Sequence, residues 1–174
     1  VSREILQQNK IIEKIKKAVT KKILDHLKEM ASKESESYTQ FWQEHGIVLK
    51  EGLHVDFENK TALSELVRFQ STETDEKHFV SLAEYVKRMK DGQKEIYYIT
   101  AESRAAAEAS PHMEIFKNKG VEVLLLTDPV DEWAVSSLTE FEGKKLVSIV
   151  KGKLDLGDIA RDEKQNAENS EKNF

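Results

Sequence analysis

Two carboxylates, Asp128 and Asp131, stand just behind the most apolar run of the chain, Val121-Glu122-Val123-Leu124-Leu125-Leu126-Thr127. Such a run reads as a strand covered on both faces, and open α/β sheets bind ligands at the carboxyl ends of their strands. Together with Glu132, these side chains could hold a magnesium ion, which takes oxygen ligands. A simpler reading is that Asp128 caps a helix opening at Pro129, whose positive N-terminal end favours acidic residues. Thr100 ends the neighbouring predicted strand, so no second acidic strand end joins them. Trp133 follows Glu132 in the first turn of that helix. A large aromatic there is either core or an exposed anchor for a partner, and both readings stay open. Arg3 opens a predicted long helix, ahead of Gln7. Its guanidinium could reach a phosphate held by another domain, or it is an ordinary exposed arginine.

Other chemistries are excluded by composition and spacing. The chain has seven glycines, none in a G-x-G-x-x-G or G-x-x-x-x-G-K-[ST] cradle, so neither familiar phosphate loop is present. With no cysteine, thiol catalysis, disulfides and cysteine–zinc sites drop out. The five histidines are scattered, with none paired at a four-residue helical step, and no serine lies in a G-x-S-x-G elbow. A net charge of −5 gives no electrostatic reason to expect nucleic acid, and the lysines from Lys14 to Lys22 read as a solvated helix face. No apolar run approaches the roughly 20 residues of a membrane span, and no signal peptide opens the chain. It begins at Val1 directly in a helical pattern, and the expectation is a piece of a larger protein.

The elements that must position these residues follow from hydrophobic period. Ile12, Ile15, Val19, Ile23, Leu27 and Met30 form one stripe on a helix from about Arg3 to Ala31, with Ser2 as its cap. Ser37-Tyr38-Thr39-Gln40 has the form of a capping box for a second helix, closed by Gly46, with Tyr38, Phe41, Trp42 and His45 facing inward. A third short helix after Asn59 carries Leu63, Leu66 and Val67. Ser81-Leu82-Ala83-Glu84 is another capping box, and Ile96 to Thr100 reads as a strand. Helical segments from Ser103 and from Ser110-Pro111 precede Gly120; after the apolar strand and the Pro129 helix, Glu142-Gly143 turns into a strand over 145–150. The predicted fold class is therefore α/β: a three-helix unit at 1–68, then a small three-layer α/β/α subdomain with a parallel sheet at 69–152. Residues 153–174 read as a polar linker or tail.

Several of these segments resemble one known family. Ser2-Arg3-Glu4-Ile5-Leu6-Gln7 is similar to the catalytic-loop signature of the heat-shock protein 90 chaperones. Leu66-Val67-Arg68-Phe69 with Ser71-Thr72, the strand Ile96 to Thr100, Glu122 to Asp128 with Asp131-Glu132, and Glu140 to Lys144 resemble that family in order and spacing. Phe41-Trp42 and Val48-Leu49-Lys50-Glu51-Gly52 favour its bacterial HtpG branch. The resemblance spans roughly residues 1–150 and points to the rear part of the middle domain.

The resemblance implies an ATP-dependent chaperone that binds and remodels non-native client proteins. Arg3 would act on the γ-phosphate of ATP, with Gln7 assisting; ATP and Mg2+ would be held by a separate N-terminal domain. Glu132 and Trp133 would face client protein and a partner chaperone. The full-length protein would form a homodimer through a C-terminal domain and work in the cytoplasm. ATP hydrolysis would belong to that full-length protein, and the isolated segment is expected to be inactive. The rival reading is a stand-alone small α/β module that binds a ligand near Asp128.

Overall fold

The computed structural model describes residues 9–151. Ser2, Arg3 and Gln7, and the stretch 153–174, lie outside the described residues. The chain forms two compact units, one up to Glu44 and one from His45 onward.

In the first unit, helix α1 (Lys10–Lys33) starts later than its periodicity predicts. Asn9 leaves the helical conformation, and its side chain accepts the Ile11 N–H at 2.9 Å, satisfying a donor that the first turn leaves unpaired. The expected stripe is also corrected. Leu27 is buried, with Leu24 beside it, but Ile12, Ile15, Val19 and Ile23 are exposed. A 3.6-residue period reveals that a helix forms, not which of its turns are covered. Glu34 alone separates α1 from helix α2 (Ser35–Val55). The capping box expected at Ser37 is not used, because the helix has already begun and Thr39 Oγ1 instead donates to the Ser35 carbonyl at 2.9 Å. Tyr38 and Trp42 are buried and Phe41 is half-buried, whereas His45 is exposed.

The second unit begins within α2, which runs through Gly46 and Gly52 instead of stopping at the first. Gly52 permits close approach here: a Cβ at this position would sit 3.1 Å from Leu63 Cδ1. After α2, the Asp56 carboxylate accepts from the Asn59 backbone N–H (3.2 Å) and side chain (2.8 Å), holding a single 3-10 turn at Phe57–Asn59. Helix α3 (Lys60–Leu66) then buries Leu63 and Leu66, with Val67 behind them.

Six strands follow: β1 (Arg68–Ser71), β2 (Val80–Ser81), β3 (Ile96–Thr100), β4 (Leu124–Leu126), β5 (Glu140–Phe141) and β6 (Lys144–Ser148). They form one sheet in the order β2-β1-β4-β3-β6-β5. The three predicted strands make its parallel centre, with Ile99 opposite Leu125 and Tyr97 opposite Val147. The antiparallel additions were not legible beforehand. Residues 68–71, polar enough to resemble a boundary, form β1 against β4, with Phe69 buried. β5 joins β6 through Glu142 and Gly143, both at positive φ, the two-residue turn that suits a twisted hairpin.

Helices α4 (Leu82–Arg88), α5 (Arg104–Glu108), α6 (Glu114–Lys119) and α7 (Asp131–Ser137) connect the strands. Tyr97, Ile99, Val123, Leu125 and Ile149 pack with Ala107, Met113 and Phe116 on one face of the sheet. Phe116 meets Tyr97 edge-on at 4.9 Å between ring centroids. Leu124 and Leu126, pointing the other way, are equally buried, so the central strand is covered on both faces. The architecture is α/β. The capping box at the start of α4 forms as its residues predict: Ser81 Oγ accepts the Glu84 N–H (3.1 Å) and Glu84 Oε2 accepts the Ser81 N–H (2.8 Å).

One buried hydroxyl ties α4 to the sheet. Tyr85 Oη donates to the Glu122 carbonyl (2.7 Å) and accepts from Tyr97 N–H (3.0 Å) and Gln93 Nε2 (3.1 Å). Burial pushes its phenol pKa well up, so the hydroxyl keeps its proton and the donor role is secure. Tyr85→Phe therefore removes three buried hydrogen bonds, and is expected to cost about 2 kcal/mol in urea denaturation. An unchanged unfolding midpoint would mean that these groups find other partners.

Candidate functional site

At the carboxyl end of the central strand, Asp128 and Asp131 do meet, but the group between them is a lysine. Lys50 on α2 places Nζ 2.7 Å from Asp128 Oδ2 and 2.7 Å from Asp131 Oδ1. The first contact is a hydrogen bond. The second is a charge contact without well-directed hydrogen-bond geometry, which leaves Asp131 Oδ1 otherwise unsatisfied. Lys50 Nζ also lies 5.0 Å from the centre of the Phe69 ring, within cation–π range. The Lys50 and Asp131 side chains are buried, whereas Asp128 is 43% exposed. Burial pushes the Asp131 carboxyl above its usual range, and the Lys50 charge pulls against that shift.

This geometry corrects the capping expectation for Asp128. Helix α7 begins at Asp131, with no side-chain cap, and the Asp128 carboxylate turns to Lys50 instead. The loop is closed from the other direction, as Asp131 Oδ2 accepts the Asp128 backbone N–H at 3.0 Å. For a magnesium ion the donor set is wrong: an ammonium already lies between the two carboxylates. Among the described residues, no group of three or more acidic, histidine or cysteine side chains is arranged to hold a metal.

The triad fixes the start of α7, and the next residues project outward. Glu132 is exposed, and Trp133 is 63% exposed, so the choice left open by sequence resolves against a core tryptophan. Ala134 and Leu138 supply the buried side of the helix. The Trp133 ring lies 6.1 Å from that of His54, tilted by 32°, and His54 Nδ1 is 3.1 Å from Ser137 Oγ. One end of α2 is thereby joined to both ends of α7, by Lys50 at its start and His54 near its finish.

The sequence pointed to Glu132 and Trp133 as candidate client-facing residues, and it did not point to Lys50 and His54, which the structure brings beside them. A signal existed for Lys50, which sits among Val48, Leu49 and Leu53, but nothing local shows that its partners lie 78 residues away or more. Arg3 and Gln7 lie outside the described residues.

The chain has known relatives. The family described as Hsp90 protein matches residues 1–174, the whole chain. The chain belongs to the Hsp90 family. A chaperone protein HtpG from Francisella tularensis subsp. novicida is 54% identical over 173 residues, covering 99% of this chain and 27% of the relative. An HtpG from Legionella pneumophila (strain Paris) is 58% identical over 159 residues, covering 91% of this chain and 26% of the relative. Among solved structures, the middle domain of a heat shock protein from Plasmodium falciparum matches with a TM-score of 0.76 at 30% identity, covering 82% of this chain and 58% of that one. The chain thus spans about a quarter of the length of these HtpG relatives, and its fold is that of an Hsp90 middle domain.

Proposed function

We propose that this Hsp90 segment serves an ATP-driven chaperone by presenting Trp133 and Glu132 to non-native client proteins. The observation that carries the reading is an exposed tryptophan on a helix whose first turn is pinned by a partly buried ion-pair triad. A tryptophan left mostly in water adds little to the fold, whereas a rigidly held aromatic binds at low entropic cost, and a few aromatics dominate protein-binding surfaces.

In the same proposal, Arg3 assists ATP hydrolysis and Gln7 supports it. Nucleotide and Mg2+ are held by a domain outside these residues, since this chain has no phosphate loop and its strand-end carboxylates are already committed to Lys50. Mg-ATP, where bound, supplies the phosphoryl chemistry. A partner chaperone, dimerisation through a C-terminal domain and work in the cytoplasm belong to the proposal as well. No helix among the described residues is long and apolar enough to cross a membrane. The rival reading, a ligand module built on the strand end, is weakened by the lysine that fills that position.

Trp133→Ala is the direct test. Truncating a core tryptophan costs roughly 3–5 kcal/mol of stability, and losing an anchor residue costs binding instead, about 2 kcal/mol or some thirtyfold in Kd. The expected result is a nearly unchanged melting temperature together with weakened capture of an unfolded client. A large drop in melting temperature with client affinity intact would refute the assignment.

A further inference from the structure

The geometry points to a wider docking face around Trp133, built from α2 and matched to apolar client segments flanked by lysine or arginine; this inference rests on the client-binding reading above. Ile47, Val48, Glu51, His54 and Val55 fall at steps of one, three and four residues, and so share one face of α2. Ile47, Val48 and Val55 are each more than half exposed, as is Phe57 in the turn that follows. His54 carries this face across to α7 through its ring contact with Trp133. Ile47, Val48 and Val55 thus share one helix face that Trp133 adjoins through His54, with Phe57 next in sequence, where scattered single residues would need no explanation.

Carboxylates stand within and beside this face. Glu51 lies inside the α2 stripe, Glu132 precedes Trp133, and Asp56 is half-exposed between Val55 and Phe57. The lysine beneath them does not offset this. Lys50 is buried and already engaged by Asp128 and Asp131. An apolar surface with an acidic rim favours apolar segments that bring their own cations and repels those flanked by acidic residues. The occupant this selects is a non-native polypeptide stretch with aliphatic or aromatic residues beside lysine or arginine.

The test uses the 174-residue chain and three dye-labelled peptides that share one apolar core and are flanked by lysines, glutamines or glutamates. In fluorescence anisotropy, the lysine peptide is expected to bind about tenfold more tightly than the glutamate peptide, and added salt should narrow that gap. Glu51→Lys with Glu132→Lys should reverse the order. Val48→Ser with Phe57→Ser should weaken all three peptides, with circular dichroism confirming that these exposed positions leave the fold intact. Equal affinities for the three peptides, or no effect of V48S/F57S, would overturn the face while leaving the client-binding reading standing if W133A still weakens binding. If W133A is silent while the charge and face variants act, the anchor assignment fails and the face stands. No binding by any peptide would sink both. A dimer in sedimentation that V48S/F57S dissociates, and that the peptides do not compete with, would reassign the face to a second copy of the chain and overturn the proposal.

Discussion

Replacing Lys50 with methionine is expected to destabilise the second unit by about 3–5 kcal/mol, the usual cost of removing one partner from a buried ion pair. The cause is what stays behind. Asp131 is 1% exposed, and Lys50 is the cation beside it. Methionine fills the space of the lysine stem but leaves the carboxylate charge uncompensated against Phe69 and the strand end. The loss should shrink in acid. Burial already raises the Asp131 pKa, and without Lys50 it rises further, so the folded state binds this proton more tightly than the unfolded state. Stability from that proton is fully present below the ordinary aspartate range and is lost as pH rises through the raised folded value. Urea denaturation of K50M at mildly acidic and at neutral pH measures both effects. Adding Asp131→Asn should recover more than half of the loss, because asparagine removes the charge and keeps an acceptor for the Asp128 N–H. A K50M variant as stable as the parent at neutral pH would show that the triad contributes nothing to the fold. Because α7 starts at Asp131, the single variant should also weaken client capture even though Lys50 reaches no client.

Arg3→Ala in a full-length HtpG carrying this segment should lower ATP turnover by about 10²–10³-fold, the usual cost of losing one donor aimed at developing charge. Nucleotide affinity should change little, since the proposal gives binding to another domain. Arg3→Lys keeps the charge but loses the planar fork, and should recover part of the rate. Single-turnover hydrolysis and nucleotide titration on the same samples separate the two quantities. Unchanged turnover in R3A would remove Arg3 from the reaction, and a matching loss in nucleotide affinity would make it a binding residue.

How much of this was legible in the residues depended on whether the controlling interaction was local. The Ser81–Glu84 capping box, the Glu142-Gly143 turn and the strand Ile96–Thr100 are each specified within a few positions, and each formed where its pattern placed it. Helix limits were less visible. Gly46 looked like a stop, yet α2 continues past it and uses Gly52 for close contact with Leu63. Strand β1 was hidden for a similar reason: its four residues earn their place through pairing with β4, not through their own composition.

The sequence by itself determined the family, the α/β class with its parallel central strands, the missing phosphate loop and the position of Trp133 at the start of a helix. All of these follow from neighbours in the chain, through period, capping and motif order. Tertiary structure alone decided which apolar residues of α1 and α2 are covered, that Trp133 faces solvent, and that Lys50 lies between Asp128 and Asp131. Burial and charge pairing depend on distance in space. Lys50 reaches its carboxylates across 78 and 81 positions, a separation over which periodicity and propensity carry no information.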